Sequence, residues 1–352
     1  MRITNNMIVN NVLRNINSNL NRVSKIQQQT SSGATINVAS DDPVAAARIL
    51  KLRNYLSKVE QYQKNTDDAI SWIDVSDSAL ENIGESMQDI RDLVVEASNS
   101  GAYSEDDLAK IKDEIVELKK NILDLGNTSD SGRYVFAGYD TDSAPFEFVS
   151  TDVGEKVLYR GSYLSLGGVV SSSVSDTDLE SFCLSNADNT VSEDKQEIEY
   201  KVGLSNRIAI NEEGFEIFGC NGESIFDSIQ KLELALDGET SYKTAQYSEG
   251  PPEEVTIETH ELEIDDVLAD LDNDIDRILT SRSELGAKYS YLELVKNRLD
   301  DNNTTYTSLL SKNEDVDYSE AAMRLSSAEA VYEASLLSGA RVIQSSLLNF
   351  LD

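Results

Sequence analysis

The last 35 residues, Tyr318 to Asp352, constrain the fold more than any other stretch. Ala321, Leu325, Ala328, Tyr332, Leu336, Gly339, Ile343, Leu347 and Phe350 recur at alternating threes and fours, which places them on one stripe of an α-helix. Small residues gather midway, at Ser335, Ser338, Gly339 and Ala340, where another helix can approach closely. Between Val342 and Leu351 there is no charged side chain. Ordering a backbone residue costs about 1–2 kcal/mol and a helical hydrogen bond returns only ~0.5–1.5 kcal/mol. Such a helix is marginal until another surface covers its stripe. The uncharged run is shorter than the roughly 20 apolar residues a membrane span needs, so the expected partner is another helix and not a bilayer.

The opposite end of the chain offers one. Leu13, Ile16, Leu20 and Val23 carry heptad spacing, among asparagines that favour caps and turns over helix interiors. Ser31-Ser32-Gly33 is expected to end this helix and Ser40-Asp41-Asp42-Pro43 to start the next, with a cap before a first-turn proline. Charge points the same way. Residues 1–64 hold nine Lys/Arg against three Asp/Glu, whereas residues 265–352 hold eight against seventeen, so the two ends attract. The whole chain carries a formal charge of −34, which argues against nucleic acid and anionic membranes as partners.

Between the ends, thirteen of eighteen glycines lie from Gly126 to Gly250, which predicts helical flanks around a turn-rich middle. Helical period runs from Val44 to about Leu125, broken near Asn99-Ser100-Gly101, with Trp72 in a helix seam. Arg133 to Gly138, Lys156 to Gly161 and Arg207 to Ile210 read as short strands. The acidic stretch from Asp176 to Lys195 reads as a loop, Ser224 to Leu236 as helix, and Gly238 to Thr259 as a linker. A long helix is expected from Glu261 to about Lys312, with Ile278, Leu285, Tyr289, Leu292, Leu299, Tyr306 and Leu310 in register and Asn303 in its seam. A break follows from Asn313 to Ser319.

No motif carries catalytic chemistry. His260-Glu261 opens like a zinc-binding HExxH, but the fifth residue is Ile264 and there is no other histidine. Asp270, Asp272, Asp274 and Asp276 fall at calcium-loop spacing, yet the sixth and twelfth positions are Ile275 and Ser281, where such a loop needs glycine and glutamate. A solvated acidic helix face is the expectation, with no cofactor and no metal. Cys183 and Cys220 stand far apart, either bridged or as two inert thiols. The start, Met1 to Asn6, has no apolar core for a cleaved secretory signal.

Several stretches in the right order then resemble one family. Met1-Arg2-Ile3-Thr4-Asn5-Asn6-Met7, Ser31-Ser32-Gly33-Ala34-Thr35-Ile36-Asn37 and Ser40-Asp41-Asp42-Pro43 are similar to the N-terminal region of the bacterial flagellin superfamily. Gly132-Arg133-Tyr134-Val135-Phe136-Ala137-Gly138 with Pro145-Phe146, and the tail from Gly339 to Leu351, resemble its branch at the hook–filament junction. Ala34-Thr35 stands where a basic pair is common, and Ser345 where proline is usual.

The resemblance implies an elongated α+β fold, with long N- and C-terminal helices forming a coiled-coil bundle around an inserted β-rich middle. The implied organisation is an N-terminal assembly arm over 1–43, disordered in the monomer, and a helical rod over 44–130 and 260–312. A β-rich outer domain spans 131–259 and a C-terminal assembly helix 313–352. The implied role is a structural adaptor, not an enzyme, joining hook-associated protein 1 to the flagellin filament and self-associating in a ring. The alternatives are a flagellin filament subunit and a coiled-coil surface adhesin. The resemblance further implies export through the flagellar type III channel without a cleaved signal, to the extracellular flagellum, with a chaperone on the C-terminal helix. The assembly interface is expected at Ile3, Met7, Leu13, Ile16, Leu20, Val23, Leu325, Tyr332, Leu336, Val342, Ile343, Leu347, Leu348 and Phe350.

Overall fold

A computed structural model describes residues 5–98, 105–191, 194–248 and 254–351. In chain order the elements are α1 (Asn5–Ser32), α2 (Pro43–Ser98), α3 (Glu105–Gly126), β1 (Ser129–Asp130), β2 (Arg133–Tyr134), β3 (Phe146–Thr151), β4 (Gly154–Tyr159), β5 (Ser162–Tyr163) and β6 (Val170–Ser171). There follow α4 (Asp176–Ser185), β7 (Glu199–Lys201), β8 (Arg207–Ala209), α5 (Gly214–Phe218), α6 (Ile225–Leu236), β9 (Ser241–Ser248), β10 (Glu254–Glu261), α7 (Ile264–Glu314) and α8 (Tyr318–Leu351). The fold is α+β, with long helices at both ends and small antiparallel sheets in the middle. The chain divides into two units, residues 1–61 with 298–352 and residues 62–297.

In the second unit α2 and α7 run antiparallel, as the pairs Arg91–Asp272, Arg282–Asp77 and Lys296–Asp67 require. α2 buries Ala69, Trp72, Ile73, Leu80, Ile83, Met87, Ile90 and Val94, and α7 buries Val267, Leu271, Ile278, Leu285, Leu292 and Val295. Both stripes keep three-four spacing, the pattern of a left-handed helix pair. Tyr289, placed in this register by the sequence, is instead more than a third exposed. α3 turns Ile111, Ile115 and Ile122 inward.

Beyond α3 the chain turns in tight hairpins. Ser131-Gly132 joins β1 to β2 and Arg160-Gly161 joins β4 to β5, all four residues at positive φ. That geometry suits two-residue turns and places glycine second. The core here is aromatic: Phe146 lies 4.6 Å from Phe218 and 5.1 Å from Tyr159, centroid to centroid. A side chain at Gly214 would meet Phe146 at 2.4 Å, so that position has room for hydrogen alone. The Tyr159 hydroxyl donates to the Phe136 carbonyl at 2.7 Å, and burial pushes its pKa up to about 12. Arg133 to Gly138 is a strand only over Arg133–Tyr134; Val135, Phe136 and Ala137 turn into the core.

Two segments differ from the sequence reading. Asp176 to Lys195 contains a helix, α4, because Leu179 and Cys183 stand four residues apart and bury together on one face. Its polar remainder hides that pair. Gly238 to Thr259 contains the hairpin β9–β10, paired from Ser241↔Glu261 to Ser248↔Glu254. Ala245, Val255 and Ile257 pack with Leu166, Val170, Leu179 and Cys183 in a small core under α4. Pro251-Pro252, which suggested a linker, falls outside the described residues, as does the break near Asn99-Ser100-Gly101. Cys183 and Cys220 are not joined by a disulfide.

The turn into α6 is tied by one buried carboxylate. Asp227 accepts from the hydroxyls of Ser165 and Ser224, from the Ser224 amide at 3.3 Å and from the Val169 amide at 3.2 Å. Ser224 in return caps the Asp227 amide, completing a capping box. The Lys156 amine is buried nearby and donates to the Val169 carbonyl at 3.3 Å; burial holds it below the usual lysine range.

Candidate assembly interface

In the first unit α1 and α8 lie side by side. Gly33 ends α1 at φ 71°, where its amide donates back to the Gln29 carbonyl at 3.0 Å. The following strand-like segment bridges to the link between α7 and α8: the Thr35 amide donates to the Glu314 carbonyl at 2.7 Å, and the Val316 amide to the Gly33 carbonyl at 2.9 Å. Asp42 caps α2 by accepting from the Val44 and Ala45 amides, each at 3.0 Å. Asp317 caps α8 by accepting from the Ser319 and Glu320 amides. The caps fix where the two helices begin, and the bridge fixes the ends from which they run.

Packing along the pair is built from small and β-branched residues. Val23, Ile26 and Ala328 form a buried cluster with Leu325 and Tyr332 against it. One and two turns further, the Asn19 amide donates to the Ser335 hydroxyl at 2.6 Å. At Gly339 an added Cβ would stand 3.0 Å from Val12 and 3.1 Å from Ile16. Glycine is therefore what lets α1 come this close.

Ion pairs hold the base of the unit. Arg53 pairs with Glu314 through both guanidinium arms, Nε at 3.2 Å, and that bond raises the guanidinium pKa further. Lys25 pairs with Asp41 at 2.8 Å, which holds that carboxyl below its ordinary range. Tyr55 stacks on Tyr306 at 5.8 Å.

The expected interface residues fall into three groups. Val23 is buried, and Ile16, Leu325 and Tyr332 are half-buried in the α1–α8 seam. Met7, Leu13, Leu20 and Leu336 remain open to solvent, at 57%, 47%, 44% and 43% exposure. Ile3 and the side chains of Val342, Ile343, Leu347, Leu348 and Phe350 lie outside what the structure describes, although α8 itself continues to Leu351. The heptad spacing places Leu13, Ile16, Leu20 and Val23 in the seam; Ile16 and Val23 are there, joined by Val12, Asn19 and Ile26, whereas Leu13 and Leu20 lie outside it. The spacing of Val12, Asn19 and Ile26 is also heptad, and the polar residue in its middle concealed it.

Among the described residues no group of three or more His, Cys, Asp or Glu could hold a metal ion, and no helix is long and apolar enough to cross a membrane.

The sequence model of the bacterial flagellin N-terminal helical region matches residues 3–141, and that of the C-terminal helical region matches residues 268–351. Flagellar hook-associated protein 3 of Escherichia coli (strain K12) is 27% identical over 350 residues, 95% of this chain and 96% of that protein. Its namesake in Salmonella typhimurium is 30% identical over 148 residues, 42% of this chain and less than half of that relative, 46%. A solved Vibrio parahaemolyticus structure, described as a flagellar hook-associated protein, covers 78% of this chain and all of its own at a TM-score of 0.57 and 18% identity, which shows a shared fold. The chain is accordingly a structural protein of the bacterial flagellum and not an enzyme. With both ends matched, over more than half its length, it belongs to the bacterial flagellin family, and its end-to-end likeness there is to hook-associated protein 3.

Proposed function

We propose that this chain is the adaptor between hook-associated protein 1 and the first flagellin, assembling through helices α1 and α8. It is exported unfolded through the flagellar channel, and its C-terminal helix is held by an export chaperone until assembly. The observation that carries the reading is the unfinished packing of the α1–α8 pair. Its seam is filled, yet Met7, Leu13, Leu20 and Leu336 remain exposed beside it. Burying a large apolar side chain contributes roughly 1.5–3 kcal/mol, so these four favour contact with neighbouring copies in a ring. From the sequence alone, Ile3, Val342, Ile343, Leu347, Leu348 and Phe350 belong to the same proposed interface.

Deleting residues 343–352 tests the reading. A soluble middle that no longer seats on isolated hooks is expected; normal filament growth from a cell carrying only the truncated chain overturns it. A second reading, a flagellin filament subunit, is equally compatible with the two family models, because both kinds of protein share these ends. The two part on polymerisation: long filaments grown from the pure chain would identify a filament subunit.

A further inference from the structure

The α1–α8 pair has a register problem that its seam only half solves. Val12, Asn19 and Ile26 stand seven residues apart, as do Ile16 and Val23. Sliding α1 by one heptad, about 10.5 Å at 1.5 Å per residue, therefore sets like against like. The Asn19–Ser335 bond opposes that slide at one point. The buried cluster, Val23, Ile26 and Ala328, is small, and apolar burial is non-directional, so it holds contact without fixing position.

The base of the pair is built differently, as a polar clasp around Glu314 and Asp315. The Thr35 amide donates to the Glu314 carbonyl and the Thr35 hydroxyl to the Asp315 carbonyl at 3.0 Å. The Gln29 side-chain amide of α1 donates to the Thr35 carbonyl at 2.6 Å. The Asp315 carboxylate accepts from the Ser311 hydroxyl of α7 at 2.5 Å. Lys25 of α1 reaches Asp41, just before α2 begins, at 2.8 Å. α2 enters the clasp through Arg53, whose two arms take both oxygens of Glu314. A two-armed guanidinium fixes orientation as well as distance, which an ammonium does not. The Glu314 side chain is only 18% exposed, and Asp315 and Asp317 follow it closely in the chain. With the guanidinium removed, Glu314 would be a mostly covered charge beside two of its own sign, which favours opening of the link.

We infer that Arg53 is a positioning residue for assembly: by closing the clasp it sets the register of α1 on α8, and with it where Met7, Leu13, Leu20 and Leu336 meet a neighbouring copy. The inference deepens the adaptor reading and rests on the same helix pair. The Arg53 side chain is 56% exposed, and exposed ion pairs add little to stability. Its loss is therefore expected to misplace the pair without unfolding the chain.

The test uses the full-length chain and reads the concentration at which half of a set of isolated hooks carries it. Arg53→Gln is expected to raise that concentration about tenfold, and Arg53→Lys about threefold, because an ammonium cannot span both oxygens. The exchanged pair, Arg53→Glu with Glu314→Arg, is expected to return it to within about threefold of the wild type. Lys51→Gln removes the same charge from an exposed site two residues away and is expected to change it less than about twofold. Urea unfolding followed at Trp72, in the second unit, should be the same for all five proteins. Arg53→Gln that seats like the wild type removes the clasp proposal and leaves the adaptor reading intact. An equal loss with Lys51→Gln, or no recovery in the exchanged pair, shows a bulk charge or packing effect and also overturns it. If the wild type grows filaments of its own in place of seating, the adaptor reading falls and the same variants judge the clasp by the concentration at which filaments form. A wild-type chain that assembles in neither way overturns both.

Discussion

Asp274 is the side chain whose replacement tests the energetics of the second unit most directly. It occupies a position on α7 that continues the buried stripe of Leu271 and Ile278, and it is 2% exposed. One carboxylate oxygen pairs with Arg277; the other, Oδ2, has no hydrogen-bond partner of good geometry among the described residues. Burial raises its pKa from an ordinary 3.8 to about 6, against the opposing pull of Ser228 and Arg277 and with some help from Asp270 and Asp227. A group whose folded pKa is raised binds its proton more tightly in the folded state. Its stabilising contribution is complete below pH 3.8 and lost as pH climbs through 6. Roughly two pH units at 1.36 kcal/mol each give about 3 kcal/mol at pH 7.5 relative to pH 3.5.

Asp274→Asn keeps the shape and removes the ionisation. At pH 7.5 the variant is expected to be the more stable protein, by up to about 3 kcal/mol, or some 6–12 °C in Tm for a unit of this size. At pH 4 the two should melt together. Arg277 keeps its bond to the Glu223 carbonyl at 2.9 Å and its partial exposure, so it is not stranded by the change. Trp72, buried in the same unit, reports unfolding by fluorescence in urea at pH 4, 5, 6 and 7.5. A variant less stable at pH 7.5, or a difference that stays constant across the series, would show that the Arg277 pair outweighs the cost of burying the charge.

Asp227→Ala should act in the opposite direction, since four donors converge on that carboxylate. Leaving buried donors without a partner costs about 1–3 kcal/mol for each one left unsatisfied, read as a lower urea midpoint with unchanged slope. Gly339→Leu should spare the melting of the second unit and abolish seating on hooks, because its side chain would enter the space of Val12 and Ile16. Retained seating would mean that α1 and α8 need not approach closely in the assembly. Gly214→Ala is expected to lower Tm by several degrees through the collision with Phe146 and Tyr159, with no effect beyond the second unit; equal Tm values would place slack in that aromatic core.

How far the sequence could be read varied with how each element spends its side chains. Helices that bury a long stripe announce themselves: the bounds of α1 at Gly33, of α2 at Asp42-Pro43 and of α6 at Ser224 follow from caps that any chain must use. α4 was hidden because ten residues with two buried positions carry too short a period to rise above a polar background. β9 and β10 were hidden because their apolar positions, Ala245, Val255 and Ile257, become a face only when paired. Within the interface the heptad in α1 was visible but its phase was not, since Leu13–Leu20 and Val12–Asn19 are both seven apart.

By itself the sequence determined that two helical ends of opposite charge flank a turn-rich middle, because hydrophobic period, caps and glycine positions are local properties. It also determined the absence of zinc and calcium motifs at His260 and Asp270–Asp276 as written. Which side of α1 faces α8, which carboxylates are buried, and which side of the α2–α7 pair stays open were decided only by tertiary contact. Gly339 sets the approach of α1 to α8, and a glycine says what it admits only when its neighbour across the interface is in place.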